Sequence, residues 1–253
     1  MTGLPQSRHA VVTGGARGIG REIASSLTRA GHVVTVLGRD RAALDEVVAK
    51  GAARFSLVAD VTDQAAVSGA IAQAAARHPI DILVANAGAA VSAPFARSDA
   101  TLFARMMDVN FMGVVHSIHA ALPSMRERPF GRIIAISSTA GLKGYPYVSA
   151  YAAAKHAVIG LVRSLALELA ATRVTANAVC PGFTDTDLVA GSIDNIMKKT
   201  GRDHAQAVAE LTRHNPQGRL VLPSEVADTV LWLCGEGASA VTGQAIVVAG
   251  GEI

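Results

Sequence analysis

Short apolar runs rich in valine, isoleucine and alanine alternate with longer stretches of helical spacing along the chain. Residues 9–13, 33–37, 55–59, 82–85, 132–137, 174–179 and 245–248 read as strands. Between them, Ile19, Ile23, Leu27 and Ala30 recur at helical spacing, with Gly31 placed to end that helix. Residues 41–50, 65–77, 102–126, 149–171 and 223–233 carry further helical patterns. Strands alternating with helices imply right-handed crossovers and a parallel sheet. The strand runs are apolar almost throughout, as expected where helices cover both faces. Hydrophobic residues make up 50% of the 253 and charged residues 17%, enough to fill such a core and far from a disordered composition. The expectation is one α/β domain over residues 1–253, a doubly wound, seven-stranded parallel sheet.

The turn from the first strand to the first helix reads Thr13-Gly14-Gly15-Ala16-Arg17-Gly18-Ile19-Gly20. Glycines there permit a tight turn, close approach of backbone to a diphosphate, and close helix–strand packing. The helix that follows offers free N–H groups and a positive dipole end to phosphate oxygens. Gly14, Ala16, Arg17, Gly18, Ile19 and Gly20 are therefore the candidate phosphate cradle of a dinucleotide. The spacing is GxxxGxG and not the more general GxGxxG.

The end of the second strand bears on which dinucleotide. A carboxylate about 20 positions beyond the turn would hold the ribose 2′-hydroxyl of NAD. The sequence instead reads Gly38-Arg39-Asp40, and a guanidinium at Arg39 suits the 2′-phosphate of NADP, with Arg17 as a second charge. The expected cofactor is NADP(H), with NAD(H) the alternative if Asp40 faces the ribose and Arg39 is a solvated loop residue. Asp60-Val61 and Asn86-Ala87-Gly88 follow the third and fourth strands, where ligands of an open parallel sheet bind. Asp60 would accept a hydrogen bond from adenine, or else cap the helix beginning near Thr62. Asn86 also reads as a tie between neighbouring strands.

The formal charge is only +3, and the basic residues are scattered, with no basic stripe interleaved with aromatics. That argues against a nucleic-acid partner. No apolar run approaches the ~20 residues of a membrane span. The first nine residues lack the apolar stretch of a secretory signal, so the expected location is the cytoplasm, in solution. Cys180 and Cys234 lie in apolar surroundings without CxxC spacing and read as buried thiols. His116 and His119 lie one helical turn apart but lack a third ligand at suitable spacing, so no metal site is expected.

The chemistry rests on Tyr151 and Lys155, four residues apart on one helix face. Tyr145 and Tyr147 have no lysine at that spacing. Ser138 lies just beyond the fifth strand, with Ser137 its neighbour, and Asn110 lies inside the long helical region after the fourth. Reducing a ketone delivers hydride to carbon and a proton to oxygen. A tyrosine gives that proton at neutral pH if its pKa comes down from about 10, a fall of three units worth about 4 kcal/mol. An ammonium ~5 Å away would contribute roughly 3 kcal/mol of that at an effective dielectric of 20. Lys155 is therefore expected to depress the pKa of Tyr151.

Together the glycine turn, Asn86-Ala87-Gly88, Asn110, Ser138, Tyr151, Lys155 and Pro181-Gly182 resemble the motif set of the short-chain dehydrogenase/reductase family, in the family's order. Thr242-Gly243-Gln244 and Gly250-Gly251 match as well, while Ala249 stands where many members carry Asp. The resemblance implies a Rossmann-type sheet, a nicotinamide cofactor and a catalytic group of Asn110, Ser138, Tyr151 and Lys155. It implies that Asn110 positions a proton-relaying water, that Ser138 hydrogen-bonds the carbonyl oxygen, and that Lys155 also holds the nicotinamide ribose. Pro181, Gly182, Thr184 and Thr186 would lie over the nicotinamide and diphosphate, with a helix N-cap the other reading of Thr186. It also implies a homotetramer, which the apolar helices at 102–126 and 149–171 would suit. Residues 187–217, partly apolar, read as a substrate lid. Their length and flanks are similar to polyketide ketoreductases and 3-hydroxybutyrate dehydrogenases, and Arg39 favours the first. The expected substrate is a ketone or secondary alcohol, a 3-oxoacyl thioester or similar β-keto compound. The alternatives are an NAD-dependent dehydrogenase of a 3-hydroxyacid or other secondary alcohol, and, from another class, a non-catalytic nucleotide sensor, which need not keep the catalytic set.

Overall fold

The computed structural model describes residues 7–126 and 128–253. The first six residues, part of the segment read above as lacking an apolar leader, lie outside the described residues.

The apolar runs form β1 His9–Thr13, β2 Val33–Gly38, β3 Phe55–Val58, β4 Ile82–Ala85, β5 Gly131–Ile136, β6 Val174–Pro181 and β7 Ala245–Val248. All pair in parallel, in the order β3-β2-β1-β4-β5-β6-β7. The strand residues alternate between two cores, as a period of two requires. Val11 and Leu83 join the layer under α3 Gln64–Arg77, α5 Gly113–Arg126 and α6 Ser149–Glu168. Ala10, Val12, Ile82 and Val84 face α1 Gly18–Arg29, α2 Arg41–Ala49 and α9 Pro223–Cys234. Each fully buried leucine or isoleucine in these layers stabilises the fold by about 1.5–3 kcal/mol.

Local chemistry sets the helix starts. Asp40 accepts the Ala43 N–H at 3.1 Å and Asp63 the Ala66 N–H at 3.0 Å, so α2 and α3 begin on side-chain caps. The end of α1 follows the expectation for Gly31, which takes a left-handed φ of 88°. The chain turns outward on one side of β1 to β2 and β3, then crosses to β4 on the other. This reversal opens a crevice at the carboxyl ends of β1 and β4.

Two expectations change. The helical region 102–126 is not continuous: α4 Ala100–Met107 gives way to a π-helical turn at Asp108–Met112 before α5 resumes. The cause is Asn110, whose amide group bonds sideways to Ala89 and back to the Met106 carbonyl. The second change is that α6 ends at Glu168, not at 171. Beyond β6, α7 Asp187–Thr200 and α8 His204–Thr212 pack around a small cluster of Val189, Ile193 and Ala207. A parallel bridge between Thr184 and Val221 pins both ends of this excursion. Among the described residues, no helix is long and apolar enough to cross a membrane.

Candidate active site

The glycine turn leaves β1 and enters α1 with two close approaches. Gly14 N and Gly15 N both point at the Leu37 carbonyl, at 2.7 and 3.3 Å. A Cβ on Gly20 would lie 2.3 Å from the Gly14 carbonyl oxygen, so only glycine lets the helix start pack on the turn. Arg17, at the N-cap position, makes no side-chain capping bond, which leaves the first-turn N–H groups of α1 to a ligand. Ala16 and Ile19 are half-buried, while Arg17 is exposed. Thr186 stands over this turn, its methyl carbon 3.3 Å from where a Gly18 Cβ would sit. It occupies the N-cap position of α7 without making a capping bond. The donor set and the cradle fit a dinucleotide diphosphate.

At the adenosine side, Arg39 Nη1 lies 3.5 Å from Asp60 Oδ2. Asp60 Oδ1 accepts from the Thr62 backbone N–H and hydroxyl, at 3.0 and 2.8 Å. Burial pushes the Asp60 carboxyl up, but those bonds and the Arg39 charge outweigh it and hold it below the usual range. Asp63, not Asp60, caps α3. Asp40 is committed to capping α2. Val61 packs against Gly113, and its carbonyl is 2.9 Å from His116 Nδ1. His116 is thus a buried structural histidine, and among the described residues no group of metal-binding side chains is gathered.

Asn86 ties the strand ends together, as one of its two readings anticipated. Its Nδ2 donates to the Thr13 and Gly14 carbonyls at 3.0 and 3.2 Å, and its N–H reaches the Thr13 hydroxyl. Ala87 N–H shares that hydroxyl. Gly88 comes next, where a Cβ would lie 2.8 Å from Asn110 Oδ1 and 3.6 Å from Lys155 Nζ. The turn after β4 thereby meets the π-helical turn and α6 at one point.

Tyr151 and Lys155 sit in the first two turns of α6. Ser138 stands beside the Tyr151 hydroxyl, and its Oγ accepts the Ala140 N–H at 3.1 Å. Ser137, the neighbouring candidate, donates its hydroxyl to the Lys155 carbonyl at 3.0 Å and is spent holding α6 to β5. Lys155 is 4% exposed; its ammonium donates to the Ile136 carbonyl at 2.8 Å and lies 5.6 Å from the centre of the Tyr151 ring. Burial pulls the Lys155 pKa down to about 8. For Tyr151 the expected depression is not found. Burial pushes its hydroxyl up, and the Ser138 hydrogen bond opposes this only in part. The physical reason is desolvation: the site is dry, and removing the phenol from water disfavours its charged form more than the neighbouring groups favour it. Cys180, beside them, is fully buried with its thiol pushed up to about 11, and Cys234 to about 12, as expected of inert core thiols.

Pro181 closes β6 against Val248, and Gly182 N–H donates to the Val248 carbonyl at 3.0 Å. Thr184 is buried and returns its hydroxyl to the Gly182 carbonyl, while Thr186 returns its own to Thr184. The small side chain of Ala249 lies 3.1 Å from a Gly182 Cβ position. Sequence reasoning missed Thr139, Lys143, Tyr145 and Glu252, which meet beside this segment. Tyr145 donates to Glu252 and accepts from the Thr139 hydroxyl, and Lys143 Nζ lies 3.0 Å from Glu252. No local pattern signals that meeting, because Glu252 is 107 residues from Tyr145.

Residues 8–196 match the family model described as short chain dehydrogenase. The chain belongs to the short-chain dehydrogenase family. It is 37% identical over 247 residues to the 3-oxoacyl-[acyl-carrier-protein] reductase MabA of Mycobacterium tuberculosis, covering 97% of this chain and 92% of that one. It is 33% identical over 253 residues to the D-beta-hydroxybutyrate dehydrogenase of Rhizobium meliloti, covering 97% and 98%. Among solved structures, a single-residue variant of the actinorhodin polyketide ketoreductase with NADPH superposes with a TM-score of 0.92 at 36% identity, covering 97% of both chains. The chain is therefore an oxidoreductase that interconverts ketones and secondary alcohols, and the Rossmann-type sheet is the family's.

Proposed function

We propose that this short-chain dehydrogenase reduces the ketone of a 3-oxoacyl thioester or similar β-keto compound, with NADPH as hydride donor. The observation that carries the reading is Tyr151 set beside Ser138, its ring centre 5.6 Å from the buried Lys155 ammonium, next to a glycine turn that fits a diphosphate. The names of the relatives support the substrate class, and the NADPH in the ketoreductase structure supports the cofactor.

Gly14, Gly18 and Gly20 with the α1 N-terminus would hold the diphosphate, and Arg39 the 2′-phosphate. Asp60, Val61, Asn86, Ala87 and Gly88 would border the adenosine and the nicotinamide ribose, and Pro181, Gly182, Thr184 and Thr186 the carboxamide and diphosphate. A bound nicotinamide supplies the hydride and, once oxidised, a positive charge. The Tyr151 hydroxyl gives its proton to the carbonyl oxygen as the carbon is reduced, and its raised pKa keeps it protonated for that step. Ser138 donates to the same oxygen and stabilises the charge that grows on it. Lys155, titrating near 8, is poised to return a proton to Tyr151. Gly88 packs closely between Asn110 Oδ1 and Lys155 Nζ, and Asn110 would position the water that relays protons to Lys155. Residues 187–217, hinged at Thr184 and Val221, would close over the substrate as a lid.

The test is Tyr151→Phe, assayed by nicotinamide absorbance on a panel of β-keto esters and thioesters. Turnover is expected to fall by more than about 100-fold, the scale of general acid catalysis, while cofactor affinity stays within a few-fold. A purified variant that keeps a tenth of the wild-type rate removes Tyr151 from the role.

A further inference from the structure

The loop between Ser138 and Tyr151 carries a cation and a phenol whose partners come from the far end of the sequence. Lys143 Nζ lies 3.0 Å from Glu252 Oε1, and the carboxylate is 3% exposed against 34% for the lysine. The Tyr145 hydroxyl donates to the same carboxylate and lies 2.7 Å from the Thr139 hydroxyl. The other oxygen, Oε2, lies 3.3 Å from the position a Cβ on Gly182 would take. The Phe183 ring meets the Tyr145 ring edge to face at 6.0 Å. The loop that carries Tyr145 leads directly into the start of α6, where Tyr151 stands. Burial, then the Glu252 hydrogen bond, pushes the Tyr145 hydroxyl up, so it remains a donor. Glu252 thus joins the loop after Ser138 to the segment after β6, at the edge of the reacting groups.

We propose that Glu252 sets the charge preference of the substrate site: by neutralising Lys143 and fixing Tyr145 it makes the site select neutral 3-oxo esters and thioesters over free 3-oxo acids. The proposal rests on the ketone-reductase reading above and narrows it. An unpaired ammonium at this edge would attract a substrate carboxylate. Here the ammonium is already paired, and taking it away would strand a buried carboxylate without its partner. Only with Lys143 removed would the unpaired charge of Glu252 repel a substrate carboxylate, adding discrimination by repulsion to the lost attraction. The rings of Tyr145 and Phe183 then present an apolar wall, with the phenol hydroxyl committed inward.

Acetoacetate and ethyl acetoacetate share the reacting ketone and differ in charge. In the wild type, kcat/KM for the ester is expected to exceed that for acetoacetate by about tenfold or more. Glu252→Gln keeps the shape and removes the charge, and is expected to move that ratio about tenfold toward acetoacetate. Adding Lys143→Met to Glu252→Gln is expected to cancel the shift. A ratio that Glu252→Gln leaves unchanged, a shift that survives loss of Lys143, or a wild type that prefers acetoacetate overturns the proposal. If Glu252→Gln does not fold, Lys143→Met alone carries the test: the ester preference is expected to widen, and an unchanged ratio overturns the idea. A wild type that reduces neither compound removes the β-keto reading and this inference with it. A wild type active on the ester with an unmoved ratio removes the inference alone.

Discussion

At the end of β2 the Arg39 side chain is 70% exposed and 3.5 Å from Asp60, whereas the neighbouring Asp40 is turned into the first turn of α2. The two readings of this strand end differ by one residue, and helix capping separates them. An aspartate that caps a helix is not free to hold a ribose hydroxyl, and none of the chain's carboxylates stands on β2 itself to repel a 2′-phosphate. NADPH is accordingly expected to bind better than NADH, and Arg39→Ala to weaken NADPH selectively. Because the guanidinium is exposed and screened, the expected loss is about tenfold, the low end of a charge-assisted contact. Titrating both cofactors against wild type and variant by fluorescence checks this. Equal weakening of both, or a wild type that favours NADH, would sink the assignment. Asp60 is the other residue to watch. Its pairing with Arg39 holds the guanidinium near the strand end, so removing Asp60 loosens the same contact.

Among the elements, the π-helical turn at Asp108–Met112 is where local pattern and tertiary demand part company. Its Asn110 receives the Ala89 N–H at 3.2 Å, donates to the Ala89 carbonyl at 2.9 Å, and donates to the Met106 carbonyl at 3.1 Å. It is fully buried, so no water replaces those partners without rearrangement. Asn110→Ala is expected to cost about 2 kcal/mol or more in urea denaturation, since it strands buried backbone groups. It should lower turnover as well, because Gly88 and Lys155 meet at the same point. Unchanged stability would mean that the turn holds without the side chain. This element was hidden in the sequence, where apolar residues keep helical spacing straight through 102–126. The inner strands were legible because both their faces are buried, which makes them apolar runs bounded by polar or glycine residues. The pairing of Tyr151 with Lys155 was legible because one helix turn separates them. The raised pKa of Tyr151 was not, because desolvation depends on what surrounds the ring and not on the spacing. The meeting of Lys143 and Tyr145 with Glu252 was illegible for a related reason: the first two share one loop, Glu252 lies at the far end of the sequence, and only the folded sheet brings the two stretches together.

For the molecule as a whole, the reacting groups all come from one chain, yet the helix that carries them also has an outward face. Tyr151 and Lys155 lie near the start of α6, and Leu161, Ser164 and Glu168 follow on the same helix. With Val115, His119 and Leu122 of α5 they line a shallow apolar groove, and Leu167 nearby is 80% exposed. Large apolar side chains in the open beside a groove are what a self-complementary contact requires, because a two-fold axis sets the same patch on both partners. The family resemblance implies a tetramer, and this face is where we expect one of its contacts. Light scattering at micromolar concentration is expected to give four chain masses for the wild type. Leu161→Glu buries a charge in that contact and is expected to yield smaller species. It should also lose turnover, because α6 would lose the support that fixes its outward side while its inward side still has to hold Tyr151 against Ser138. A wild type that scatters as a monomer would refute the assembly. A Leu161→Glu variant that remains tetrameric would place the contact on another face.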